Sequence, residues 1–141
     1  MRIRLVQSED AAEVARLATL LGYPSTAEQV ARRLAILATK PESAVFVAES
    51  EAGLEGWISI QGRHQVESDP DAIIEGLVVD ARARRKGVGR ALIGAAESWA
   101  RGGGYGSIRV RSNTIRVEAR RFYEGVGYEV FKTQNAFRKA L

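Results

Sequence analysis

The stretch from Ile73 to Arg101 constrains the fold more than any other part of the chain. Ile73-Ile74-Glu75-Gly76-Leu77-Val78-Val79 is a mostly apolar run of strand length. Over 87–101, Val88, Leu92, Ala95 or Ala96, and Trp99 fall on one face of a helix. Arg84-Arg85-Lys86-Gly87-Val88-Gly89-Arg90 stands between the two. A buried strand passing through a glycine-bearing turn into an amphipathic helix predicts an α/β architecture, with open main-chain N–H groups at the helix start. Glycines let an anion approach the main chain, and Arg84, Arg85, Lys86 and Arg90 add long-range attraction, so a pyrophosphate suits the turn. It is not a Walker loop, because no Gly stands five positions before Gly87 and no Ser or Thr follows Lys86. Nor is it the dinucleotide fingerprint, since Leu92 takes the third glycine position. A solvated basic turn that simply starts a helix is the plainer alternative.

The remaining elements follow from periodicity and punctuation. Ile3 and Leu5 alternate with Arg2 and Arg4 as a first strand. Asp10 with Glu13 opens a helix carrying Val14, Leu17, Ala18 and Leu21, and Gly22 ends it. Ser25 with Glu28 opens a second helix carrying Val30, Leu34 and Leu37, which Lys40-Pro41 closes. Ala44 to Glu49 and Leu54 to Ile60 read as a hairpin, and a polar stretch leads to the central strand. Gly102-Gly103-Gly104 stops the long helix, Ser107 to Arg111 is a strand, and Val117 to Val126 is a helix capped by Gly127. Tyr128 to Phe131 and Ala136 to Ala140 read as closing strands. The order is βααβββαβαββ, an α/β mixed sheet flanked by helices. With no repeat or linker, residues 1–141 read as one domain.

Composition narrows the chemistry. The 141 residues include no Cys and one His, His64, which excludes disulfides, a thiolate nucleophile, a Cys-ligated zinc and a multi-His metal site. No metal is expected. The net charge of +4 conceals an asymmetry: residues 1–81 carry 7 basic and 13 acidic side chains, whereas residues 82–141 carry 14 and 4. The second part is suited to meet an anion. No apolar run approaches the ~20 residues needed to span a bilayer, and Met1-Arg2-Ile3-Arg4 starts no signal-peptide core, so a cytoplasmic protein without membrane partners is expected.

The turn and a second segment together resemble a known family. Arg84-x-x-Gly87-x-Gly89, following Leu77-Val78-Val79-Asp80, is similar to the acetyl-CoA motif of the GNAT superfamily of N-acetyltransferases. Ala119-Arg-Arg-Phe122-Tyr123-Glu124-x-x-Gly127-Tyr128 resembles that family's Ala-x-x-x-Tyr-Glu-x-x-Gly-Phe/Tyr segment, and Phe137-x-Lys139-x-Leu141 its common C-terminal strand. The resemblance implies a GNAT-like fold along essentially the whole chain and transfer of acetyl from acetyl-CoA to a primary amine. It further implies that the main chain of Arg85, Lys86, Gly87, Val88, Gly89 and Arg90 holds the CoA pyrophosphate, beside Arg84. The pantetheine arm would pair with Leu77, Val78 and Val79, where a gap toward the strand at Ser107 to Arg111 leaves main-chain groups open. A backbone N–H near Val78 would polarise the thioester carbonyl.

Direct transfer needs a neutral amine, an oxyanion donor and a proton for the leaving thiolate. The resemblance makes Tyr123 the general acid, a phenol of pKa ~10 facing a thiolate whose parent thiol is ~8.5. Glu75, a carboxylate inside an apolar strand, is the first candidate for the base, with a solvent-facing pleat position or a water relay as alternatives. Many family members have Asn seven residues before the acid Tyr; this chain has Arg116 there and Asn113 three residues earlier. Both are expected as cofactor contacts, with a helix cap and a solvated Arg as the other reading. Glu67, Asp69 and Asp71, with Glu75, form an acidic lip for a cationic acceptor, similar to aminoglycoside 6'-N-acetyltransferase-like members. A solvated loop is the alternative. Trp57, Tyr23 and His64 are further candidates for the pocket wall.

The acceptor is thus expected to be an amine-bearing small molecule or a peptide, and the closing strands could pair two copies into a homodimer. Two other classes compete: an acyl-CoA-binding sensor without turnover, and a nucleic-acid-binding domain built on the 11 basic residues between positions 82 and 121. Aromatics at 7% and the lack of any zinc-finger, RRM or KH pattern speak against nucleic acid.

Overall fold

The computed structural model describes residues 1–141. The chain forms two compact units, Met1–Val110 and Arg111–Leu141. The first contains β1 (Arg2–Leu5), α1 (Ala11–Leu20), α2 (Ala27–Ala38), β2 (Ser43–Ser50), β3 (Gly53–Arg63), β4 (Asp71–Val79), α3 (Val88–Gly102) and β5 (Ile108–Val110). Short 3-10 turns at Ser8–Asp10 and Ala81–Ala83 lead into α1 and follow β4. The strands lie in the order β1-β2-β3-β4-β5, antiparallel except for the parallel β4–β5 pair. This is the α/β mixed sheet that the sequence predicts.

Consecutive residues of β3 sort the helices onto two faces, because side chains alternate along a strand. At Gly56 an added Cβ would stand 3.1 Å from Leu92 of α3. Next to it, Trp57 packs with Val14, Leu17, Val30, Val47 and Val78, so α1 and α2 cover the opposite face. Leu17, Ile58, Ile60, Ile73 and Leu92 are among the side chains that lose all or nearly all contact with solvent. Each such side chain stabilises the fold by roughly 1.5–3 kcal/mol relative to an exposed position.

Several boundaries differ from the sequence reading, for local reasons. The second helix is capped one residue later than expected: Thr26 Oγ1 accepts from the Gln29 N–H at 3.1 Å, and Gln29 Oε1 accepts from the Thr26 N–H at 3.0 Å. Ser25 instead turns its hydroxyl to the Tyr23 carbonyl. Before α1 the reciprocal cap is made by Gln7 and Asp10 rather than by Asp10 and Glu13, and Asp10 is buried against Arg4.

The second unit contains α4 (Val117–Gly125). Gly127, at φ +98°, takes the left-handed conformation expected past its end. The closing strands expected at 128–131 and 136–140 are absent, and residues 128–141 have no regular secondary structure. A strand exists only through its ladder, so β-forming residues without a ladder partner stay irregular. Val130, Phe131, Phe137 and Leu141 are exposed there. No helix of either unit is long and apolar enough to cross a membrane.

Candidate active site

Two backbone features converge at the C-terminal end of β4. The first is the turn. Arg85 at φ +68° and Gly87 at φ +80° hold left-handed conformations on either side of Lys86, an alternation that turns successive N–H groups into one concavity. Gly87 is the N-cap of α3 and brings no side chain to the first-turn amides. The Ala91 N–H is the first to bond back, to the Gly87 carbonyl at 3.0 Å, which leaves Val88, Gly89 and Arg90 as the open donors of the helix end. Arg84, Arg85, Lys86 and Arg90 are exposed around them. A positive dipole end, open amides and four cations are the features that anion binding at a helix start requires.

The second feature is the edge of β4. Its ladder with β5 covers only Ala72↔Ile108, Ile73↔Arg109 and Ile74↔Val110. Its ladder with β3 then steps from Ile74↔Ile60 to Gly76↔Ser59, so Glu75 is the extra residue of a bulge. Beyond the bulge, Gly76 to Val79 keep β3 on one side and have no strand on the other. Leu77, Val78 and Val79 therefore have a strand on one side only, and the turn follows at the end of that edge. The gap expected between this strand and β5 is present within the first unit.

Glu75 is exposed at the bulge and accepts a hydrogen bond from Gln61 Nε2 at 2.8 Å. The apolar-strand argument for a buried base does not apply, because the bulge turns this side chain outward. Gly76 beside it has a different task. A Cβ there would stand 2.9 Å from Trp57 Cζ3, so the indole lies across β4 only because residue 76 has no side chain. The Trp57 Nε1 is buried without a hydrogen-bond partner. Tyr23 is exposed in the α1–α2 connection.

The acidic lip does not form next to this edge. Register Arg63↔Asp71 and Gly56↔Val79 puts the loop at 64–70 at the opposite end of the β3–β4 ladder from Val79. From Asp71 to Val78 the strand spans about 23 Å, so exposed Glu67 and Asp69 do not flank Leu77 to Val79. Asp71 is committed elsewhere. It is 5% exposed, accepts from Arg63 Nε at 2.9 Å and from Arg109 Nε at 2.7 Å, and is not open to an amine. Burial pushes its pKa up, but the two guanidinium groups outweigh that and hold it below the ordinary aspartate value. His64 is at the same far end, paired with Glu42 at 2.8 Å.

In the second unit, Tyr123 lies on α4, edge-on to Phe122 at 5.3 Å and tilted against Tyr128 at 5.9 Å. Burial pushes its pKa above the ordinary value near 10, against a smaller opposing pull from Arg116. Burial thus favours the protonated phenol. Asn113 Oδ1 accepts from the Ile115 N–H at 3.1 Å, a local turn and not the cap of α4, whose N-cap is Arg116. Arg116 is exposed.

Asp80, in sequence only the residue that closes Leu77-Val78-Val79-Asp80, has a structural task. It is buried directly after β4, where its carboxylate accepts from the Arg82 N–H at 3.0 Å, from Arg82 Nη2 at 3.0 Å and from Arg16 Nη1 at 3.1 Å. Its position between an apolar strand and a basic turn was the available signal.

Comparison with known proteins gives the family and the fold. The family described as Acetyltransferase (GNAT) domain matches residues 41–130. An aminoglycoside N(6')-acetyltransferase type 1 of Stenotrophomonas maltophilia is 31% identical over 99% of this chain and 93% of its own length. The aminoglycoside N-acetyltransferase AAC(6')-Iy bound to a bisubstrate analogue, CoA-S-monomethyl-acetylneamine, superposes with a TM-score of 0.87 at 20% identity, over 99% of this chain and 98% of that one. The apo aminoglycoside 6'-N-acetyltransferase AAC(6')-IG of Acinetobacter haemolyticus gives 0.86 at 18% identity, over 100% and 99%. The family match over residues 41–130 and the 31% identity along nearly the whole chain show that the chain belongs to the GNAT acetyltransferases, which transfer an acetyl group from acetyl-CoA to an amine.

Proposed function

We propose that this acetyltransferase modifies a primary amine on a cationic small molecule of the amino-sugar class. The observation that carries the choice is the 31% identity to an aminoglycoside N(6')-acetyltransferase along nearly the entire chain. Acetyl-CoA supplies an acetyl group already activated as a thioester. The open amides of the turn from Arg85 to Arg90 bind its pyrophosphate, with Arg84 adding charge, and the free edge at Leu77 to Val79 holds the arm. The Val78 region donates a main-chain N–H to the acyl oxygen as charge develops there. Glu75, exposed on the bulge, attracts the ammonium group and takes its proton directly or through water. Tyr123 gives a proton to the departing thiolate. Asn113 and Arg116 supply outer contacts to the cofactor, Arg116 through a phosphate. Since Glu67 and Asp69 stand at the far end of β4, they do not build the acceptor pocket in this reading. Tyr23 and Trp57, on the α1–α2 side, are its candidate walls.

The test is release of free thiol from acetyl-CoA across a panel of aminoglycosides, polyamines, amino acids and peptides. Turnover confined to amino sugars is expected. Turnover with peptides alone would refute the acceptor class, and CoA binding without thiol release from any amine would point to the silent sensor.

A further inference from the structure

The Asp80 network joins three elements that a cofactor-holding turn and an acceptor wall both depend on. Asp80 directly follows Val79, the last residue of the free edge, and caps the 3-10 turn that leads into Arg84 to Gly87. Its own N–H donates to the Glu55 carbonyl at 2.8 Å, which fixes the chain as it leaves the sheet. Arg82, whose side chain is 82% exposed, folds back so that its main-chain N–H and guanidinium both meet the same carboxylate. Arg16, from α1, reaches Asp80 at 3.1 Å and the Leu54 carbonyl at 3.2 Å, and is itself held by Glu13 at 2.6 Å. A buried carboxylate with these donors is costly to leave unpaired, so the turn and α1 are fixed as one unit.

We propose that Asp80 is a positioning residue that presets the pyrophosphate turn, and that Arg16 is the strut through which α1 shares that setting. The inference rests on the reading of Arg85 to Arg90 as the pyrophosphate site. Bound anion needs several amides aimed at one point, and the left-handed conformations of Arg85 and Gly87 keep that aim only if the entry to the turn is fixed. Asp80 supplies the anchor at that entry. The sign of its effect separates this role from plain electrostatics. By Coulomb's law alone, removing a negative charge beside an anion site tightens anion binding; removing an anchor weakens it.

Asp80→Asn, Arg82→Lys, Arg16→Met and the double variant Arg16→Met with Asp80→Asn test this through calorimetric titration with CoA and steady-state kinetics. Asp80→Asn is expected to weaken CoA about tenfold, with the loss falling on the KM for acetyl-CoA rather than on kcat. Arg82→Lys keeps the charge but loses the planar fork, and is expected to weaken CoA about threefold. Arg16→Met is expected to do the same alone, yet to add nothing in the Asp80→Asn background. Equal or tighter CoA binding by Asp80→Asn overturns the inference and leaves the function intact, as do additive losses for Arg16. If Asp80→Asn fails to fold, Arg82→Lys decides in its place, and unchanged affinity there overturns the inference. A wild-type protein that does not bind CoA overturns both readings.

Discussion

Replacing Gly87 by Ala should separate the stability of the turn from its function. Gly87 has φ +80°, and a Cβ built there meets no atom within 4 Å. The substitution thus carries no clash, only the intrinsic penalty of a left-handed L-residue, about 1 kcal/mol, which for a chain of this size lowers Tm by roughly 3–4 °C. If the turn holds the pyrophosphate, a methyl on the N-cap residue stands in the way of its approach to the open amides. Two charge-assisted hydrogen bonds, at about 1.5 kcal/mol each or more, then weaken or break, so CoA affinity should fall about 100-fold. Gly104→Ala is the matched control: its φ is +82° and a Cβ there likewise meets nothing, but it lies past the other end of α3. Both variants should lose the same few degrees in a thermal melt, and only Gly87→Ala should lose CoA in a calorimetric titration. If Gly87→Ala binds within about threefold of wild type, the turn is not the pyrophosphate site.

Three other substitutions probe the fold and the chemistry. Tyr123→Phe should lower kcat by about 10²-fold or more while CoA affinity stays the same, and because burial raises the phenol pKa, the wild-type rate should fall on the alkaline side only above pH ~10. An unchanged kcat at saturating amine removes Tyr123 as the acid. Asp71→Asn should lower Tm by several degrees at pH 7; since the folded carboxyl titrates below its ordinary value, its contribution is intact above pH ~4 and is lost as the pH falls through the folded pKa, so the variant should show a flatter acid limb. Superimposable acid limbs would refute this. Gly76→Ala pushes a methyl to 2.9 Å from Trp57, which should cost about 1–3 kcal/mol and shift the tryptophan emission; an unaltered spectrum with unaltered Tm would contradict the close approach.

What could be read from the letters was local. The strand at Ile73 to Val79, the turn at Arg84 to Arg90 and the helix after it carry their structure in their own residue order, and all three are present. The errors came where the outcome depends on a partner. Tyr128 to Phe131 has β-forming residues but no ladder, so propensity alone does not make it a strand. Glu67 and Asp69 are near Glu75 in sequence, yet an extended strand carries them away from it, and only register reveals that. Asp71 looked like one carboxylate among several until the pairing put Arg63 opposite it and Arg109 beside it. The task of Asp80 is not legible locally, because Arg16, 64 residues earlier, is one of its partners. Glu75 sits in an apolar run that predicts burial, but the bulge exposes it, and its candidacy as base rests on its place beside the free edge.

Backbone amide chemical shifts on addition of CoA show where the cofactor lies along β4 and the turn. Large shifts are expected at Leu77 to Val79 and at Arg85 to Arg90, with little change at Glu42, at His64 or at Tyr105, whose hydroxyl donates to Glu42 at the far end of the sheet. Shifts centred on that far end, with 77–79 and 85–90 unmoved, would contradict that placement.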